Sequence, residues 1–164
     1  MSTYELKELV SFLKKNHLKL STAESCTGGC IAHLLSKVPK SGEILDTGFV
    51  VYSAMAKEKV LGVKKSTIEQ FNLTSEEVAR EMVQGAYKLS NSNVIIATTG
   101  LVGSKSIDGI TPGTVCFSWL FSRENQTFLF SETAIFSGSK PHKQMLAALH
   151  ALERIPFYFN SIQG

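Results

Sequence analysis

Disulfide scaffolds, membrane spans and nucleic-acid arms each need features that are scarce in this sequence. Only three cysteines occur among 164 residues, Cys26, Cys30 and Cys116. An odd and irregularly spaced set cannot frame a disulfide-stapled fold, so a reducing, cytoplasmic compartment is expected. No apolar run reaches the roughly 20 residues that cross a bilayer. The opening Met-Ser-Thr-Tyr-Glu-Leu-Lys-Glu-Leu begins an amphipathic helix and lacks the basic-then-apolar layout of a secretory signal. Seventeen basic against 14 acidic residues leave a net charge of +3 with no block of like charge. Without a basic stripe interleaved with aromatics, nucleic acid is not an expected partner. The small positive excess suits an anionic small molecule or an ordinary solvated surface. His17, His33, His142 and His150 lie far apart and make no metal-ligand pair with Cys, Asp or Glu at short spacing, so no metal is expected.

What is present is the material of one packed domain spanning residues 1–164, 43% hydrophobic with 10 phenylalanines. Leu6, Leu9, Val10 and Leu13 repeat at helical spacing and predict a helix over 4–17. Residues 18–23 read as a short strand, 25–29 as a tight turn and 30–37 as a helix. A turn at Pro39 to Gly42 precedes a strand over 44–52, and helices are expected at 54–61 and, briefly, at 66–70. Thr74-Ser75-Glu76-Glu77 supplies a cap and first-turn acids for a long helix reaching about Leu89. Residues 93–98 form an apolar strand. Residues 100–113, with four Gly and Pro112, form a loop long enough to suggest function. Strands at 114–121 and 127–136 make a hairpin, and a helix over 140–152 follows. Helices alternate with strands until that hairpin, so a three-layer α/β/α fold is expected, with a mixed, mostly parallel sheet and a C-terminal hairpin.

The first candidate for chemistry is Ser25, in Thr22-Ala-Glu-Ser-Cys-Thr-Gly-Gly29 at the carboxyl end of the first strand. Ligands of open α/β sheets collect at that edge. Gly28 and Gly29 permit close backbone approach, and the free N–H groups of the new helix, with Thr27 beside them, suit a phosphate or an oxyanion. Equally, Ser25 reads as a helix cap and the glycines as relief of a tight turn. A serine nucleophile needs a base, and Tyr52-Ser53-Ala-Met-Ala-Lys57 offers Lys57, whose amine would lose its proton readily if buried. A solvated helix lysine is the plainer reading, as for Lys59. Thr99 and Gly100 end the third strand at the same edge. Cys26 is a weaker alternative nucleophile without an evident His or Asn partner.

These blocks taken together, with Val60-Leu-Gly-Val63, Ser75-Glu-Glu-Val-Ala79 and Gly113-Thr-Val115, resemble the CinA C-terminal domain family in five blocks in order. The resemblance implies a nicotinamide-nucleotide amidase, which turns nicotinamide mononucleotide into nicotinic acid mononucleotide and ammonia. It implies Ser25 as nucleophile, Lys57 as general base, Tyr52 and Thr99 in support, a homodimer, and no cofactor. The loops depart from the family pattern. Pro39-Lys-Ser-Gly42 replaces Pro-Gly-Ser-Ser, leaving Ser41 as the loop's serine. Thr99-Gly-Leu-Val-Gly-Ser104 lacks a proline, and Gly138-Ser-Lys140 replaces Gly-Asp-Arg. Lys140 keeps the arginine's charge and loses its bidentate grip on phosphate. The changed loops also fit a paralogue that binds a nucleotide without turning it over, gripping its phosphate at Thr27–Gly29.

Overall fold

The computed structural model describes residues 1–163. Its elements are α1 (Thr3–Lys15), β1 (Leu20–Glu24), α2 (Cys30–Ser36), β2 (Leu45–Val50), α3 (Ala54–Leu61), α4 (Lys65–Phe71), α5 (Glu76–Leu89), β3 (Val94–Gly100), β4 (Thr114–Arg123), β5 (Gln126–Ile135) and α6 (Lys140–Ser161). The Ser2 hydroxyl accepts from the Glu5 N–H, and the Glu5 carboxylate accepts from the Ser2 N–H, a reciprocal cap that starts α1. The expected apolar stripe of α1, Leu6 through Leu13, is buried.

The strands lie in the order β2-β1-β3-β4-β5. β1 runs parallel to both neighbours, whereas β3–β4 and β4–β5 are antiparallel. Four of the five strands therefore point the same way, and β4 alone is reversed. The parallel character expected of the sheet lies in strand direction; the pairings divide evenly, because the hairpin places β4 against β3.

Side chains alternate across each strand. Leu20, Val94, Ile96, Phe117 and Trp119 face one core, covered by α1, α2 and α6. Ala23, Ile95, Ala97 and Leu120 face the other, under α3 and α5. Chain connections diverge between β1 and β3: α2 carries the chain to β2 on one side of β1, and α3–α5 carry it back to β3 on the other. The crevice at the carboxyl ends of β1 and β3 is thus the switch point where a doubly wound sheet accommodates ligands. Gly85 sets the depth of the second layer, since a Cβ built there would lie 1.9 Å from the Leu61 carbonyl oxygen. Only glycine lets α5 press on the end of α3.

Several boundaries shift by one or two residues, β3 for example running Val94–Gly100 where 93–98 is expected, and two differences have a clear physical cause. The hairpin turn is only Glu124-Asn125, with φ of 52° and 65°, because left-handed residues match the twist of the strands and let pairing continue to Arg123 and Gln126. α6 continues to Ser161, through Pro156, instead of ending at Leu152. Burial of Ile155, Tyr158 and Phe159 outweighs the backbone bond the proline removes. No helix among the described residues is long and apolar enough to cross a membrane.

Candidate active site

Ser25 closes β1, and its N–H donates to the Thr98 carbonyl at 3.0 Å, which pins the turn to β3. Lys57 approaches from the opposite layer. Its side chain is 1% exposed, and Nζ lies 2.7 Å from Ser25 Oγ, 3.0 Å from the Val51 carbonyl oxygen and 3.4 Å from that of Tyr52. No carboxylate lies within salt-bridge distance of this amine among the described residues. Burial favours the neutral amine and brings its pKa down to about 8, with the neighbouring Cys26 thiol acting weakly the other way. In that neutral form two N–H groups satisfy the two carbonyls and the lone pair faces the Ser25 hydroxyl. Helix α3 delivers this geometry because the Ser53 hydroxyl caps it, accepting from the Ala56 N–H at 3.1 Å. Lys57 is therefore not the solvated lysine of the plainer reading.

The glycine turn serves a narrower purpose than its sequence suggests. Glu24, fully buried at the end of β1, accepts from the Thr27 hydroxyl at 2.7 Å and from the Ile31 and Ala32 N–H groups at 3.0 and 2.9 Å. The amino end of α2 is thus filled from within by the protein's own carboxylate, and a phosphate there would meet like charge. Gly28 and Gly29, with φ of 63° and 93°, carry the chain over this cap. Among the described residues the N–H groups of Cys26, Thr27 and Gly29 donate to no backbone carbonyl, which leaves free donors in the turn that follows Ser25. Cys26 is no rival nucleophile, because burial pushes its thiol up to about 12.

The remaining candidates separate. Tyr52 reaches Lys57 through its backbone carbonyl, while its half-exposed ring faces outward with its hydroxyl 3.4 Å from Lys140 Nζ. Lys140 thus stands at the rim. Thr99 is buried, and its hydroxyl donates to the Leu73 carbonyl at 2.7 Å. Gly100 permits close pairing with β4, since a Cβ there would lie 2.5 Å from the Thr114 carbonyl oxygen. A cleft of about 410 Å³ opens beside them, between the α4–α5 connection and the 101–113 loop. Ser41 does not join the site within this chain: it lies in a 3-10 turn beside Ile44, whose carbonyl accepts from the Leu20 N–H at the amino end of β1, the edge opposite Ser25. The sequence reading also missed three residues that shape the site. Besides Glu24, these are Gln144, whose Nε2 donates to the Cys26 carbonyl at 2.8 Å, and Lys143, which donates to the Gly103 carbonyl at 2.9 Å.

Comparison with known proteins fixes the family and the fold. A model of the CinA C-terminal domain matches residues 3–158. The chain belongs to the CinA C-terminal domain family. A CinA-like protein of Chlorobium phaeobacteroides is 42% identical over 127 residues, covering 76% of this chain and 30% of the relative. A putative competence-damage inducible protein of Caldanaerobacter subterraneus subsp. tengcongensis is 34% identical over 97% of this chain and 38% of its own length. This CinA-family chain thus spans about a third of the length of such relatives, 30% of one and 38% of the other. Among solved structures, the competence or damage-inducible protein from Enterobacter asburiae superposes with a TM-score of 0.86 at 32% identity, covering 94% of this chain and 96% of that one. The competence/damage inducible protein CihA from Agrobacterium tumefaciens gives 0.81 at 29% identity, over 92% and 93% of the two chains.

Proposed function

We propose that this chain is an amidohydrolase that converts nicotinamide mononucleotide to nicotinic acid mononucleotide and ammonia, with Ser25 as nucleophile and Lys57 as base. The observation that carries the reading is the 2.7 Å approach of Lys57 Nζ to Ser25 Oγ, by a buried amine with no carboxylate partner among the described residues. A serine hydroxyl is a poor nucleophile until a base takes its proton, and an amine with its pKa lowered to about 8 is matched to that task. As Oγ bonds to the carboxamide carbon, the hydroxyl proton passes to Nζ and the carbonyl electron pair moves onto oxygen. The N–H groups of Cys26 and Thr27 meet that oxyanion. Collapse expels the amide nitrogen, which takes the proton from Lys57 and leaves as ammonia. Water, deprotonated by the same amine, then attacks the acyl-serine carbonyl carbon; collapse breaks the bond to Oγ, which takes the proton back from Lys57, and releases the carboxylic acid.

Tyr52 positions the base through its carbonyl, and its ring with Lys140 borders the substrate. Half-exposed Val50, Tyr52 and Met55 beside the site suit a homodimer, which sedimentation would detect. Three free cysteines suit a reducing, cytoplasmic setting. A nucleotide-binding paralogue without turnover, gripping phosphate at Thr27–Gly29, is disfavoured by the Glu24 carboxylate already there. Incubation with the mononucleotide should release ammonia, and Ser25→Ala should reduce the release to background. Equal release from the two proteins would refute the reading.

A further inference from the structure

Glu24 fills the amino end of α2, where a phosphate would meet like charge, and the first turns of α6 offer another place for the anion of a phosphorylated substrate. Lys140, Lys143 and Gln144 stand at i, i+3 and i+4 and share one helix face. Two of them border the site directly: Gln144 reaches the Cys26 carbonyl at 2.8 Å, and Lys140 lies 3.4 Å from the Tyr52 hydroxyl. Lys143, between them in sequence, is only 7% exposed. Its ammonium has three N–H donors and one acceptor, the Gly103 carbonyl at 2.9 Å, and no carboxylate within salt-bridge distance among the described residues. A largely buried lysine is thus left with donors that have no partner among the described residues. A Cβ built on Gly103 meets nothing within 4 Å, so open space adjoins this contact.

From this geometry we infer that Lys143 is the specificity-determining cation that receives the phosphate monoester of the substrate, with Lys140 as its outer partner and the Gly103 carbonyl as its resting acceptor. The inference rests on the reading of Ser25 as acting on a phosphorylated carboxamide. The phosphate satisfies the two donors that Gly103 leaves open, and two cations one helical turn apart match its charge.

Binding without turnover tests it. In a Ser25→Ala background, calorimetry compares nicotinamide mononucleotide with nicotinamide riboside, which lacks the phosphate. Adding Lys143→Gln, whose amide still donates to Gly103, should weaken the mononucleotide about ten- to a hundredfold and leave the riboside unchanged. Lys143→Arg should restore the preference. Thermal unfolding checks that each variant is folded. Equal weakening of both ligands, or no weakening of either, overturns the assignment. Loss confined to the mononucleotide, together with no ammonia release by the unsubstituted protein, upholds Lys143 as the phosphate cation and removes the amidase reading alone.

Discussion

Replacing Lys57 by methionine should change stability in a manner that depends on pH in a definite direction. In the fold, burial lowers this amine from the ordinary 10.5 to about 8. At about 1.4 kcal/mol for each tenfold in a proton equilibrium, the fold then carries a penalty of about 3 kcal/mol at pH 7, where the lysine is charged in both states. Between the folded and unfolded pKa values the unfolded chain binds the proton and the folded chain does not. Stability from this group therefore rises with pH from about 8 and levels off above 10.5. Methionine abolishes the penalty and leaves the Val51 and Tyr52 carbonyls without the Lys57 donor, at a cost independent of pH. Measured by urea unfolding, the stability of Lys57→Met relative to the unsubstituted protein should fall by about 2 to 3 kcal/mol from pH 7 to pH 10. A difference that stays constant over that range would refute the idea that the fold discharges this lysine.

Ammonia release should rise about tenfold per pH unit below neutrality and level off above pH 8, because only the neutral Lys57 takes the Ser25 proton; a profile flat from pH 6 to 9 would exclude it as the base. Cys26→Ser should retain activity, since a thiol held near 12 contributes no thiolate; loss of activity with the fold intact would show otherwise. Gly85→Ala, whose methyl would meet the Leu61 carbonyl, should destabilise by about 1 to 3 kcal/mol and lower kcat by displacing α3 from Ser25. Glu24→Gln should cost about 1.5 to 3 kcal/mol, as a charged acceptor of three bonds is lost, with unfolding midpoints as the measure.

The dyad was legible in the sequence because each member sits at a break in periodicity: Ser25 ends a strand and Lys57 follows the capped start of α3, whose limits Ala54 and Leu61 the sequence marks correctly. Other parts were legible only in three dimensions. Pro156 is a local stop signal that a non-local core overrides. Gly85 looks like an ordinary helix defect until α3 lies against it. Ser41 shares a motif with the site, yet a motif does not state which edge of the sheet it reaches. Lys143 and Gln144 resemble solvated helix residues because nothing local reveals the loop and the turn above them.

Glu24 and Lys57 show how one sheet separates opposite demands. Odd and even residues of β1 face different layers, so the consecutive Glu24 and Ser25 point to opposite sides. The carboxylate goes to the α2 layer, where three donors hold its charge. The hydroxyl goes to the α3 layer, where the amine meets neutral acceptors and burial lowers its pKa to about 8. Had Glu24 faced Lys57, the pair would have formed a buried ion pair and held the amine's pKa up instead of letting burial lower it. Strand alternation at the end of β1 therefore does more than build a core: it keeps the anion that shapes the turn away from the amine whose pKa burial lowers.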